Sequence, residues 1–78
     1  MINTKDINYL KNFGLYLKKL RESKGMSQEE LANNAEVSIS QITRIERGTI
    51  NPTICTVKSL AKGLGVKTAD FFEFENDA

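Results

Sequence analysis

Wound at about 100° per residue, residues 39–47 bring Ser40, Thr43, Arg44 and Arg47 into one arc of roughly 100°, with Ile39 at its edge. Ile42 and Ile45 fall together on the opposite side. Two guanidinium groups, two hydroxyls and one aliphatic side chain on a polar face have the chemistry to read base edges. Arg donates to guanine O6 and N7 or to phosphate, Ser and Thr bond either base or backbone, and Ile meets a thymine methyl. A solvent-facing helix with no such task more often carries Glu/Lys pairs at i,i+4. The wheel alone leaves two readings level, a DNA-contacting face and an ordinary polar surface.

Other chemistry is scarce. The sequence has no histidine, which removes the commonest general base and metal ligand. Cys55 is the single cysteine, too few for an internal disulfide, and is expected to be a small buried side chain on a helix rather than a redox or metal group. No nucleophile has a base beside it, no glycine-rich loop cradles phosphate and no metal-ligand spacing occurs. The expectation is therefore no enzyme, no catalytic residues, no cofactor, no metal and no evident small-molecule ligand.

The polar face needs elements that hold it. Asp6 is placed to cap a first helix from about Ile7 to Lys24, with an apolar stripe of Ile7, Leu10, Phe13, Leu17 and Leu20 and a stop at Gly25. Ser27 and Glu30 have the spacing of a capping box for the second helix, whose inner face is Leu31, Ala32 and Ala35. A turn at Glu36-Val37 leads to Ser38, which caps a third helix from Ile39 to about Arg47, and Gly48 ends it. Asn51-Pro52 delays the restart. The fourth helix begins at Thr53 or at Cys55-Thr56, turns Ile54, Val57, Leu60, Ala61 and Leu64 inward, and closes at Gly65. Thr68 caps a short last helix, Ala69 to about Phe74. No useful strand alternation occurs, so the fold class is all-α with five helices.

Composition agrees with one small folded domain, 1–78, frayed at 1–6 and 75–78: 78 residues, 40% hydrophobic and 27% charged. No apolar run approaches the ~18 residues of a membrane span, and no secretory h-region follows the start, which points to a cytoplasmic protein without membrane partners. The net charge of +1 divides unevenly, +4 over residues 1–65 and −3 over residues 66–78, so a basic body can face phosphates while an acidic end points elsewhere.

One run of residues narrows the reading. Phe13-Gly14, Leu17, Leu20-Arg21, Gly25-Met26-Ser27-Gln28-Glu29-Glu30-Leu31-Ala32, Val37-Ser38, Ile42, Ile45-Glu46-Arg47-Gly48 and Asn51-Pro52-Thr53 occur in this order. The run resembles the helix-turn-helix of the phage repressor and Cro family, the xenobiotic-response-element regulators, over roughly Phe13 to Phe72. That resemblance implies a lambda-repressor-like five-helix bundle with the helix-turn-helix in helices two and three, and a regulator that binds operator DNA with helix three in the major groove.

The resemblance also implies roles. Gln28 matches a glutamine whose amide meets phosphate, the alternative being a mere helix former. Ser38, Ile39, Ser40, Thr43 and Arg44 match groove-facing positions; Gln41 beside them contacts phosphate or nothing. Arg47 and Thr49 match backbone contacts. Arg21 and Glu46 match a pair that ties helix one to helix three, the alternative for Arg21 being phosphate. Where the family usually has glycine in the turn, this chain has Glu36, so either the turn shifts or the chain bears about 1 kcal/mol for a positive φ.

Members of this family read two half-sites as a two-fold dimer. Phe71, Phe72 and Phe74 are too many aromatics for one short helix to bury, so Phe71 or Phe72 is expected in the protomer core and another, with Phe74, at a homodimer interface, the alternative being that all three are tucked into the protomer. Length and simplicity resemble Cro-like repressors and the controller proteins of restriction–modification operons. The competing reading is an antitoxin-type or other protein-interaction module on the same fold; only four residues follow Phe74, too few to wrap a partner.

Overall fold

A computed structural model describes residues 5–76. Among them lie four α-helices, α1 (Ile7–Ser23), α2 (Gln28–Ala35), α3 (Ile39–Arg47) and α4 (Ile54–Leu64), followed by a 3-10 helix (Thr68–Asn76).

Each α-helix starts where a short polar side chain can accept from a backbone N–H three residues on, which supplies one of the donors a helix N-terminus leaves unpaired. Asp6 accepts from Tyr9, Ser38 from Gln41 and Thr53 from Thr56, the last deciding between the two starts expected for α4. At α2 the bond is reciprocal: Ser27 Oγ accepts from Glu30 N–H and Glu30 Oε1 accepts from Ser27 N–H. The α1 helix stops one residue short of the expected Lys24, which is its C-cap.

Between α2 and α3 the backbone does pass through the left-handed region, with Glu36 at φ 57° and ψ 40°. A residue with a Cβ is strained there by about 1–2 kcal/mol, and glycine returns part of that through its looser unfolded chain. Glu36→Gly is therefore expected to raise stability by roughly 0.5–1 kcal/mol. Urea unfolding checks it: the midpoint should rise with an unchanged slope, and a lower midpoint would contradict the strain.

The core joins all five elements through Phe13, Leu17, Leu31, Ile42, Ile45, Leu60, Leu64 and Phe71, with Ala32, Ala35, Val57 and Ala61 between the larger side chains. The α1 helix packs on α3, α2 packs on α4, and the 3-10 helix lies against α1 and α4.

Several side chains depart from expectation. Ile54 is 85% exposed and Ile7 58% exposed, although both continue an apolar stripe. Each opens its helix, and the stripe there runs past the edge of the core. Cys55, expected to be buried, is exposed because it lies about 160° round the helix from Val57, on the face of α4 turned away from the core. The last helix is 3-10 rather than α. At three residues per turn, residues three apart eclipse, which puts Phe71 and Phe74 on one side of the helix; the rings of Phe71, Phe72 and Phe74 lie 5.6, 5.7 and 6.3 Å from Phe13. Thr68 is the first residue of this helix, not its cap; Asp70 Oδ2 accepts from Lys67 N–H instead. The expected fraying falls partly on residues 1–4 and 77–78, outside the described residues. Within them, Asp6 caps α1 and Glu75 accepts a 2.7 Å bond from the Tyr9 hydroxyl.

Candidate nucleic-acid interface

The α3 helix is strongly two-sided. Ile42 and Ile45 are buried in the core, while Ile39, Ser40, Arg44 and Arg47 are exposed together on the other side and Thr43 is half-buried at the margin. Ser38 spends one hydroxyl lone pair on the cap, and Gln41 is half-buried. Thr49 Oγ1 donates to Arg44 O at 3.0 Å, so it supports a carbonyl at the end of α3 while remaining exposed.

A buried polar clamp fixes this helix from behind. Arg21 Nε donates to Glu46 Oε2 at 2.7 Å and Nη2 donates to Oε1 at 3.1 Å. The pairing of Arg21 with Glu46 expected from the sequence is thus present and bidentate, and it excludes Arg21 from the surface. The third edge of the guanidinium was not anticipated: Nη1 donates to Met26 O at 2.8 Å, which ties the turn before α2 into the same knot. The hydrogen bond to Glu46 holds the Arg21 pKa above its ordinary value against the opposing pull of burial, so the group stays charged at every accessible pH.

Gln28 belongs to this clamp as well. Its Nε2 donates to Glu46 Oε1 at 3.0 Å, and its Oε1 accepts from Thr43 Oγ1 at 3.1 Å. The amide is therefore more than a helix former, and it faces inward between α2 and α3. Thr43 has one hydroxyl proton and two acceptors in reach, Gln28 Oε1 and Ile39 O at 3.0 Å, so it serves one at a time. Among the described residues, no buried side-chain nitrogen or oxygen lacks a partner. A fully satisfied network of this kind sets the rotation of α3 about its own axis.

The clamp can close because α1 crosses α3 at Gly14. A Cβ built there would collide with the Ile45 carbonyl oxygen and come within 2.7 Å of the Glu46 carbonyl oxygen. A glycine inside a helix is unfavourable on propensity alone, and that cost was the one signal in the sequence that a backbone passes close by.

The three aromatics named for an interface separate. Phe71 is fully buried, so of the two candidates for the protomer core it is the one that fills it, and it has no surface to offer an interface. Phe74 is half-buried against Tyr9, Phe13 and Tyr16. Phe72 is 39% exposed and lines an apolar groove of about 340 Å³ with Pro52, Ile54 and Val57.

Residues 17–71, from within α1 to the buried Phe71, match the helix-turn-helix family HTH_3. The chain belongs to this family. The chain is 38% identical over 63 residues to the control protein C.BamHI of Bacillus amyloliquefaciens, covering 80% of this chain and 78% of that one. It is 33% identical over 57 residues to the HTH-type transcriptional regulator DdrOP3 of Deinococcus deserti, covering 73% of this chain but 44% of the length of that relative. Among solved structures, the restriction-modification controller protein C.AhdI of Aeromonas hydrophila superposes with a TM-score of 0.82 at 34% identity, covering 83% of this chain and 98% of that one. The helix-turn-helix of this HTH_3 domain is α2 and α3, and the relatives that share it are transcriptional regulators.

Proposed function

We propose that the protein is a sequence-specific regulator of transcription that binds operator DNA in the cytoplasm as a homodimer, with α3 inserted in the major groove. One observation carries the reading. Ile39, Ser40, Arg44 and Arg47 stand exposed on a helix whose opposite face is core and whose rotation the Arg21–Glu46–Gln28 clamp fixes. A face held so rigidly can present donors to a fixed set of base edges. In this reading Ser40 and Arg44 contact bases, Ile39 and the methyl of Thr43 meet apolar base edges, and Ser38, Gln41, Arg47 and Thr49 meet the flanking backbone. Gln28 acts chiefly by positioning, its second amide hydrogen remaining for a phosphate.

One α3 spans only a few base pairs, so a second copy is needed to read a site of useful length. The proposed contact is the apolar groove flanked by Ile54 and Phe72, where Ile54, the most exposed large apolar side chain of the described residues, is left 85% exposed by the protomer. Phe74 contributes at its margin.

Fluorescence anisotropy against a duplex selected from a randomised pool, and against its scrambled counterpart, tests the reading. Arg44→Ala is expected to lose about 1–3 kcal/mol of preference between the two duplexes. Ile54→Asp is expected to sediment as a monomer and to lose affinity for two-half-site DNA. Wild-type protein that binds the two duplexes equally would defeat the proposal, and a wild-type monomer that binds two half-sites independently would defeat its dimeric part.

A further inference from the structure

We infer that the first half of α1 supplies a phosphate-binding ledge at the C-terminal end of α3, with Lys11 as its central cation. The inference rests on the DNA-binding reading and extends it to residues outside the matched 17–71 span.

An open groove of about 700 Å³ lies between the start of α1 and the loop after α3. Lys5, Lys11 and Arg47 line it together with Thr49 and Asn51, and among the described residues no carboxylate does. The nearest acid in sequence, Asp6, turns its carboxylate to the Tyr9 N–H as the α1 cap. The position of Lys11 is set by backbone packing. Gly48, the C-cap of α3 at φ 74°, is buried against it, and a Cβ built on Gly48 would lie 2.7 Å from Lys11 Cα. The second turn of α1 is thus held at the end of the reading helix, with the Lys11 side chain exposed.

Two physical arguments point this ledge at DNA backbone. The nine residues of α3 span about 13 Å at roughly 1.5 Å per residue, close to the ≈ 12 Å width of the major groove, so a helix seated there brings its end to a bordering strand. That end carries the negative pole of the helix dipole and would repel a phosphate unless cations cover it. Arg44 and Arg47 lie in the last turn of α3, and Lys11 adds a charge from a different helix, where it has no i,i+4 acid to neutralise it: residues 7 and 15 are Ile and Leu.

A lysine that meets phosphate releases about one counterion, and it does so on any sequence, whereas a lysine that only offsets the helix dipole does not alter salt dependence of binding. The test measures affinity across a salt series for wild type, Lys11→Gln and Lys11→Arg, on both the selected and the scrambled duplex, with melting curves alongside. Lys11→Gln is expected to lower the slope of log K against log salt by about 0.9 on both duplexes, leaving their ratio and the melting temperature unchanged, and Lys11→Arg is expected to keep the wild-type slope. An unchanged slope in Lys11→Gln, with wild type binding normally, overturns this inference alone. A wild-type protein that binds neither duplex overturns the DNA-binding reading and the ledge with it.

Discussion

Replacing Glu46 by alanine is expected to destabilise the fold by about 3–5 kcal/mol, the range for removing one partner of a buried ion pair. Exposed pairs contribute about 0–1 kcal/mol, and geometry decides which regime applies here. The side chains are 9% and 5% exposed, and the guanidinium and carboxylate meet through two bonds of 2.7 and 3.1 Å. Without Glu46, Arg21 keeps the Met26 carbonyl but carries an uncompensated buried charge, and the Gln28 amide loses its acceptor. A domain of this size has little in reserve, of order 5–15 kcal/mol in total and toward the lower end, so the variant should melt far below wild type. Urea unfolding of Glu46→Ala, Arg21→Met and the double variant Arg21→Met with Glu46→Leu measures this directly. The double variant should recover much of the loss, because two apolar side chains replace a desolvated pair. A loss under about 1 kcal/mol in Glu46→Ala would mean that the clamp behaves as a surface pair. Recovered stability in the double variant need not recover binding: Gln28 and Thr43 would lose the anchor that sets the rotation of α3.

The second large effect reverses the usual sign of a substitution. Gly→Ala inside an exposed helix stabilises by about 1 kcal/mol, yet Gly14→Ala is expected to destabilise by roughly 1–3 kcal/mol, the range for overpacking. The added methyl would meet main-chain atoms of α3, the Ile45 and Glu46 carbonyls, which have no rotamer by which to move aside. The α1 helix must then back away from α3 and stretch the Arg21–Glu46 bonds that span the same gap. Melting temperature and duplex affinity should therefore fall together. The fall in affinity should also exceed that of a variant equally destabilised at a position remote from α3, such as Leu64→Ala in α4. A melting temperature at or above that of wild type would show that the crossing has room, and the account of Gly14 would fail.

Both effects sit on contacts between residues far apart in sequence, and this marks how much of the molecule could be read from the chain alone. The helix starts at Asp6, Ser27 and Ser38 were legible because each depends on a bond spanning three residues, whereas Thr53 was one of two starts the spacing allowed for α4. The inward turn of Ile42 and Ile45 was legible because the helical period assigns faces. The same period misplaced Ile7 and Ile54, since it says which way a side chain points but not how far the core extends to meet it. Phe71, Phe72 and Phe74 were recognised as a surplus, but which of them the protomer buries depends on a 3-10 winding that their packing against α1 favours and that local propensity does not announce.

By itself, then, the sequence determined the four α-helices, the caps at Asp6, Ser27 and Ser38, the two-sidedness of α3 and the membership of the chain in a family of regulators, because these follow from residue spacing within a few turns. Only the tertiary structure decided that Gln28 faces Glu46 and Thr43, that Met26 completes the Arg21 clamp, that Gly14 admits α3, and that Lys11 stands at the C-terminal end of α3. Each joins residues that are distant in the chain or lie in different elements. Their meeting depends on crossing positions, which the close packing of the whole core sets.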